Sequence, residues 1–243
     1  GPAHALAADG ILAYCEQRYE EGRARLEETV KHERLMEEAW EALARILERQ
    51  EMGARTYEEK ELLRRRAEQV YTEALSTDQA YPPFYLGRGN VHMRAAVIKH
   101  RSGNDPLPHF AAAERDFGAC VRIDSEHAEG WHRLGAVRLD RGRYLTQRGL
   151  DPLPDWTQAE RDLGQSLYLR RDYFMPRFKK GFLYLYWAMY QMDQGQDAAS
   201  TLAAGMEDMT ESLRLTPGDT DPWLWMGVLR TQMGLHLKNQ GKD

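Results

Sequence analysis

The tetrapeptide Asp105-Pro106-Leu107-Pro108 returns as Asp151-Pro152-Leu153-Pro154, and Ala113-Glu114-Arg115-Asp116-Phe117 returns as Ala159-Glu160-Arg161-Asp162-Leu163, in both cases 46 residues further on. Two matches at one offset point to repeated supersecondary units. Such units stack because one helix pair cannot bury both of its faces alone. The interval extends backwards to Ala67 and Tyr71 and forwards to Asp208 and Met209. Four glycines, Gly87, Gly135, Gly181 and Gly227, follow at spacings of 48, 46 and 46.

Proline has no backbone donor and clashes inside helices, so its positions mark helix limits. After Pro2 it occurs only at 82, 83, 106, 108, 152, 154, 176, 217 and 222. Between these limits the apolar spacing is helical: Ala113, Phe117, Cys120 and Ile123 fall on one face. The chain is therefore expected to be all-α, with helices at 5–31, 33–50, 57–76, 83–101, 109–123, 129–148, 156–170, 176–194, 197–215 and 221–239. Asp155 and Gln158 have capping-box spacing, which places a helix start after Pro154. The expected organisation is a single solenoid domain: an N-terminal capping helix at 1–32, repeats at 33–82, 83–128, 129–175 and 176–218, and a C-terminal capping helix at 219–243. Terminal helices of such a stack need a polar outer side. A coiled-coil seam of Leu12, Cys15, Tyr19, Leu26 and Val30 is the weaker alternative, since Gly22 interrupts it and the heptads are few.

The 38 acidic residues outnumber the 33 basic ones, so no net positive field draws the chain to nucleic acid or anionic lipid. Cys15 and Cys120 have neither disulfide-framework nor zinc spacing, which fits a reducing, cytoplasmic setting. The apolar run Phe182–Tyr190 is far shorter than the roughly 20 residues that membrane insertion requires. Gly1-Pro2 has the form of a protease scar, which implies a piece of a longer protein.

Chemistry-bearing constellations are sparse. His127 and His132 lie five apart, off the helical ligand spacing, and are expected at the surface; no metal or cofactor is expected. Gly87-Arg88-Gly89-Asn90 lacks the P-loop lysine and falls within an expected helix. Glu114, Asp116, Glu160 and Asp162 recur with the repeat, which suits a solvated face or contacts to Arg115 and Arg161 better than catalytic carboxylates. No catalytic residue is expected, and an all-α enzyme is the least favoured reading.

Trp131-x-x-Leu134-Gly135 and Trp223-x-x-Met226-Gly227 resemble the first-helix signature of the tetratricopeptide repeat family. Ala113, Phe117 and Cys120, with Ala159, Leu163 and Ser166, stand at its second-helix positions, and Pro217 at its closing proline. The resemblance spans about residues 33–239. The period exceeds the usual 34 by about 12 residues, and Pro83 and Arg177 replace the signature tryptophan in two units. It implies a right-handed superhelical solenoid of antiparallel helix pairs, whose first helices line a concave groove holding a protein or peptide. With each signature glycine as eighth position, the groove residues are Phe84, Arg88, Val91 and His92, then His132, Ala136, Leu139 and Asp140, then Phe178, Phe182, Leu185 and Tyr186. Arg88, Arg133 and Lys179 would receive an acidic or phosphorylated segment. Phe84 with Arg88, and Phe178 with Phe182, depart from the Lys-with-Asn clamp that some members use for chaperone tails.

The segments Tyr19–Leu26 and Ala67–Leu75 further resemble repeat regions appended to some bacterial serine/threonine kinases, although no kinase motif lies in this chain. The functional expectation is a monomeric docking module, the regulatory or substrate-recruiting arm of such a kinase. The alternative is a scaffold that self-associates through its terminal faces, with Trp223 and Trp225 at the interface.

Overall fold

The computed structural model describes residues 2–241, which contain eleven α-helices and no strand. They are α1 (Pro2–Cys15), α2 (Tyr19–His32), α3 (Glu37–Gly53), α4 (Tyr57–Thr77), α5 (Pro82–Arg101), α6 (Leu107–Ile123), α7 (Ala128–Gln147), α8 (Leu153–Leu169), α9 (Phe174–Asp193), α10 (Ala199–Leu215) and α11 (Asp221–Asn239). The chain divides into two compact units, Gly1–Ser125 with α1 to α6 and Glu126–Asp243 with α7 to α11. Within each unit, successive helices pack against one another as antiparallel pairs.

The 46-residue interval is a property of the backbone. Helices α5, α7 and α9 each have 20 residues and start 46 apart; α6, α8 and α10 each have 17 and do the same. The connector between the two helices of a pair repeats too. Gly103, Gly149 and Gly195 take φ of +73°, +71° and +69°, a left-handed conformation that glycine adopts without steric cost. Two residues on, Asp105, Asp151 and Asp197 accept the backbone N–H of Leu107, Leu153 and Ala199 at 2.9 to 3.0 Å. Each Gly-x-Asp thus turns the chain and then satisfies an orphan donor at the next helix start. Pro82, Pro83, Pro108, Pro154, Pro176 and Pro222 sit in first turns, where their missing N–H costs nothing, while Pro106 and Pro152 are N-caps and Pro217 follows the end of α10.

Three expectations require correction here. The helix expected at 5–31 is two helices, broken by a turn at Gln17 (φ 61°). Gly10 and Gly22 let α1 and α2 cross closely, since a Cβ on Gly10 would lie 2.7 Å from Leu26 Cγ. No coiled-coil seam forms: Leu12 and Cys15 are exposed while Leu26 and Val30 are buried. At α8 the N-cap is Pro152, the Leu153 N–H is taken by Asp151, and Asp155 lies inside the first turn, accepting from Arg141 Nε at 2.9 and 3.0 Å. Thr56 with Glu59 forms a capping box at the start of α4.

Packing inside each pair places large side chains against small ones. A Cβ on Gly89, Gly135 or Gly181 would fall 2.5, 2.7 or 2.6 Å from Phe117, Leu163 or Met209 of the following helix. The repeat glycines are therefore Gly89, Gly135, Gly181 and Gly227, spaced 46 apart throughout. Gly87 belongs to another contact, against the Tyr71 ring of α4. Seven residues after each repeat glycine stands a second small residue, Ala96, Gly142, Ala188 or Gly234. Gly142 receives Trp156, which is fully buried and donates its indole N–H to the Leu139 carbonyl at 3.3 Å. Burying a side chain of this size contributes about 3 kcal/mol.

The repeated aspartates are not a solvated face, whereas Glu114 and Glu160 are half-exposed. Asp116, Asp162 and Asp208 are buried, where a carboxylate persists only if paired. Asp116 accepts two bonds from Arg88, at 2.9 and 2.7 Å, with His92 at 3.7 Å. Asp162 is met by Arg138 at 2.7 Å, and Asp208 by Arg177 at 2.9 Å and Lys180 at 3.4 Å. The acid keeps its register in all three pairs; the base directly before the repeat glycine recurs as Arg88 and Lys180, whereas Arg138 and Arg177 stand elsewhere on the first helix.

Candidate functional site

In the second unit, α7 touches α9 and α9 touches α11, whereas α8 and α10 each contact only the first helices beside them. The first helices thus line an inner face. On α9, Phe178, Phe182 and Tyr186 recur every four residues and so share one side of the helix. Phe178 and Phe182 meet edge to face at 4.8 Å, and Phe182 and Tyr186 stack at 6.3 Å. Trp225 of α11 lies 4.5 Å from Phe182, and the Arg143 guanidinium of α7 sits 4.4 Å over Tyr186. All four rings are half-buried. The neighbours Leu183, Leu185 and Ala188 turn into the core. The apolar run of α9 therefore serves two surfaces, a buried one and an accessible aromatic one.

Positive charge gathers near the start of α9. Lys179 is half-buried there, and Arg133 on α7 is paired with Glu129 at 3.1 Å. Between these helices His132 is only 1% exposed, contrary to its expected surface position. Its Nδ1 shares a hydrogen bond with the Tyr173 hydroxyl at 3.2 Å, and the Arg170 guanidinium covers the Tyr173 ring at 3.6 Å. Burial first, and then the charges of Arg133, Lys179 and Arg170, lower the His132 pKa to about 3. It is a neutral core group. His127 caps α7, its Nδ1 accepting from Gly130 N at 3.0 Å.

Of the residues expected along the groove, Phe84, Val91, His92, His132, Ala136 and Leu139 are buried. Leu185, expected there as well, is also in the core. Arg88 is held by Asp116 and is not free to receive a partner. For α5 the cause is register. Counting from Gly89 rather than Gly87 moves the facing positions to Leu86, Asn90, Met93 and Arg94; the first three are half-exposed, and Arg94 bonds Glu48 and Glu51. The clamp comparison moves to Leu86 with Asn90, which has the asparagine and not the lysine. Leu86, Asn90 and Met93 escape a count based on the Leu86-Gly87 dipeptide. The constant 28-residue interval from repeat glycine to Phe117, Leu163 or Met209 singles out Gly89. Trp225 and Arg143 fall outside any single-helix count, because adjacent helices bring them to the α9 row.

Among the described residues no group of His, Cys, Asp and Glu is placed to hold a metal ion. No described helix is long and apolar enough to cross a membrane. No protein-family model matches the sequence. No curated protein matches it either. Solved structures do. A tetratricopeptide repeat protein from Parabacteroides merdae superposes with a TM-score of 0.66 at 15% identity, covering 96% of this chain and 75% of that one. PilW, a type IV pilus biogenesis factor, gives 0.64 at 14% identity over 96% of this chain and 87% of its own. YrrB, described as having an unusual peptide-binding site, gives 0.52 at 18% identity over 85% and 82%. The fold is accordingly an all-α solenoid of tetratricopeptide-type helix pairs, with a 46-residue repeat.

Proposed function

We propose that this chain is a protein-docking module that holds an extended or helical segment of a partner against the inner face of α7, α9 and α11. The reading rests on the accessible row Phe178, Phe182, Tyr186 and Trp225, with Lys179 and Arg133 near one end. Aromatic side chains and arginine carry much of the energy at protein interfaces, because they bury large areas and retain a polar contact. The cations suit a segment with an apolar or aromatic centre and an acidic flank. The peptide-binding description of YrrB, which shares the fold, supports a segment rather than a small molecule as occupant. The segments Tyr19–Leu26 and Ala67–Leu75 are the ground for placing such a module beside a serine/threonine kinase.

The test is affinity capture from a native lysate with wild type and with Tyr186→Ala plus Lys179→Glu, after matched melting curves. A partner lost selectively from the double variant supports the inner face as binding surface. Retention of the same partners at the same yield removes it.

A further inference from the structure

Helix α11 repeats the sequence register of the first helices that precede it, yet among the described residues its outer face is uncovered. Gly227 and Gly234 correspond to Gly135 and Gly142 of α7, each 92 residues on. On α7 those two glycines receive Leu163 and Trp156; on α11 nothing lies within 4 Å of a Cβ at either position. Around them Trp223 is 60% exposed, Leu224 62% and Leu235 50%. Residues 223, 224, 227, 230, 231, 234 and 235 are all exposed and follow the spacing of one helical face. Arg230 stands at the register of Arg138, the base that meets buried Asp162 at 2.7 Å. No acid occupies the positions three or four away from Arg230 on its own helix.

The second helices show what fits such a face. Helices α6, α8 and α10 each carry two large apolar residues seven apart, Phe110 with Phe117, Trp156 with Leu163 and Leu202 with Met209, and an aspartate directly before the second. The large residues fill the sites above the small ones, and the aspartate meets the base. We propose that the outer face of α11 docks an amphipathic helix of a partner protein that carries this pattern: two large apolar side chains seven apart, an Asp before the second, and a small residue between. An isologous second copy fits poorly, since the same face carries no acid to meet Arg230. This surface is separate from the inner aromatic row, and its test does not depend on that row.

The probe is a dye-labelled peptide with residues 151–170 of this chain, titrated with the whole protein by fluorescence anisotropy. Saturable binding is expected, and Gly227→Leu plus Gly234→Leu should weaken it by about tenfold or more by filling both sites. Both glycines are exposed and helical, so this variant should melt no lower than wild type. Arg230→Glu should also weaken binding, and an Asp162→Lys peptide should recover affinity for that variant alone. Absence of saturable binding, or equal affinity for wild type and the double leucine variant, overturns the proposal. So does self-association, seen by sedimentation, that Gly227→Leu abolishes, because that assigns the face to a second copy.

Discussion

Acidification should destabilise the second unit through His132. The unfolded chain binds a proton at this residue with the ordinary pKa of 6.5, and the folded protein only near 3. Between those values the unfolded state holds more protons, so stability falls as pH falls, starting near 6.5 and fully lost near 3. From pH 7.5 to pH 5 the loss from this one group is about 2 kcal/mol. The assay is urea unfolding of wild type and His132→Gln at both pH values. With an m-value of about 2–3 kcal/mol/M, the wild-type midpoint should drop by about 0.7–1 M more than that of the variant. His92 and His109, whose pKa values are also lowered by burial, are common to both proteins and cancel in the difference. Equal midpoint shifts in the two proteins, or a His132 titration near 6.5 followed by NMR, would refute the neutral buried histidine.

Two glycines should respond oppositely to alanine: Gly149→Ala, at φ +71°, should cost about 1 kcal/mol, and Gly164→Ala, inside α8 with open space around it, should gain up to about 1 kcal/mol. Thermal melts that shift both variants the same way would contradict the turn geometry. Asp116→Asn should cost about 3 kcal/mol in denaturant unfolding, because Arg88 then loses its counter-charge. A loss below about 1 kcal/mol would mean that the pair behaves as a surface one.

The periodicity was legible in the sequence because it rests on features that sequence displays directly, namely prolines in first turns and one offset of 46. The array of helices follows from them, with ends misplaced by a few residues where proline lies inside the first turn rather than before it. The break at Gln17 was not legible, since neither glycine nor proline marks it; only the tight crossing at Gly10 and Gly22 requires the fold-back. The site was legible in part. Phe178, Phe182 and Tyr186 follow from the family resemblance, counted along one helix, whereas the ring of Trp225 and the guanidinium of Arg143 join them only when three helices pack. On α5, two glycines two residues apart gave two possible registers, and the choice between them is made by Phe117, a residue of the next helix.

The buried aspartates also bear on how such units diverge after duplication. A carboxylate in this position needs a positive neighbour, but a neighbour one turn away serves as well as one directly opposite. A new cation can therefore arise before the old one is lost, and the unit passes through a stage in which one acid has two bases. Asp208, between Arg177 and Lys180, has two bases of this kind. Charge balance is inherited by the helix pair while the identity of each basic position drifts, so the architecture outlasts any residue-by-residue likeness between copies.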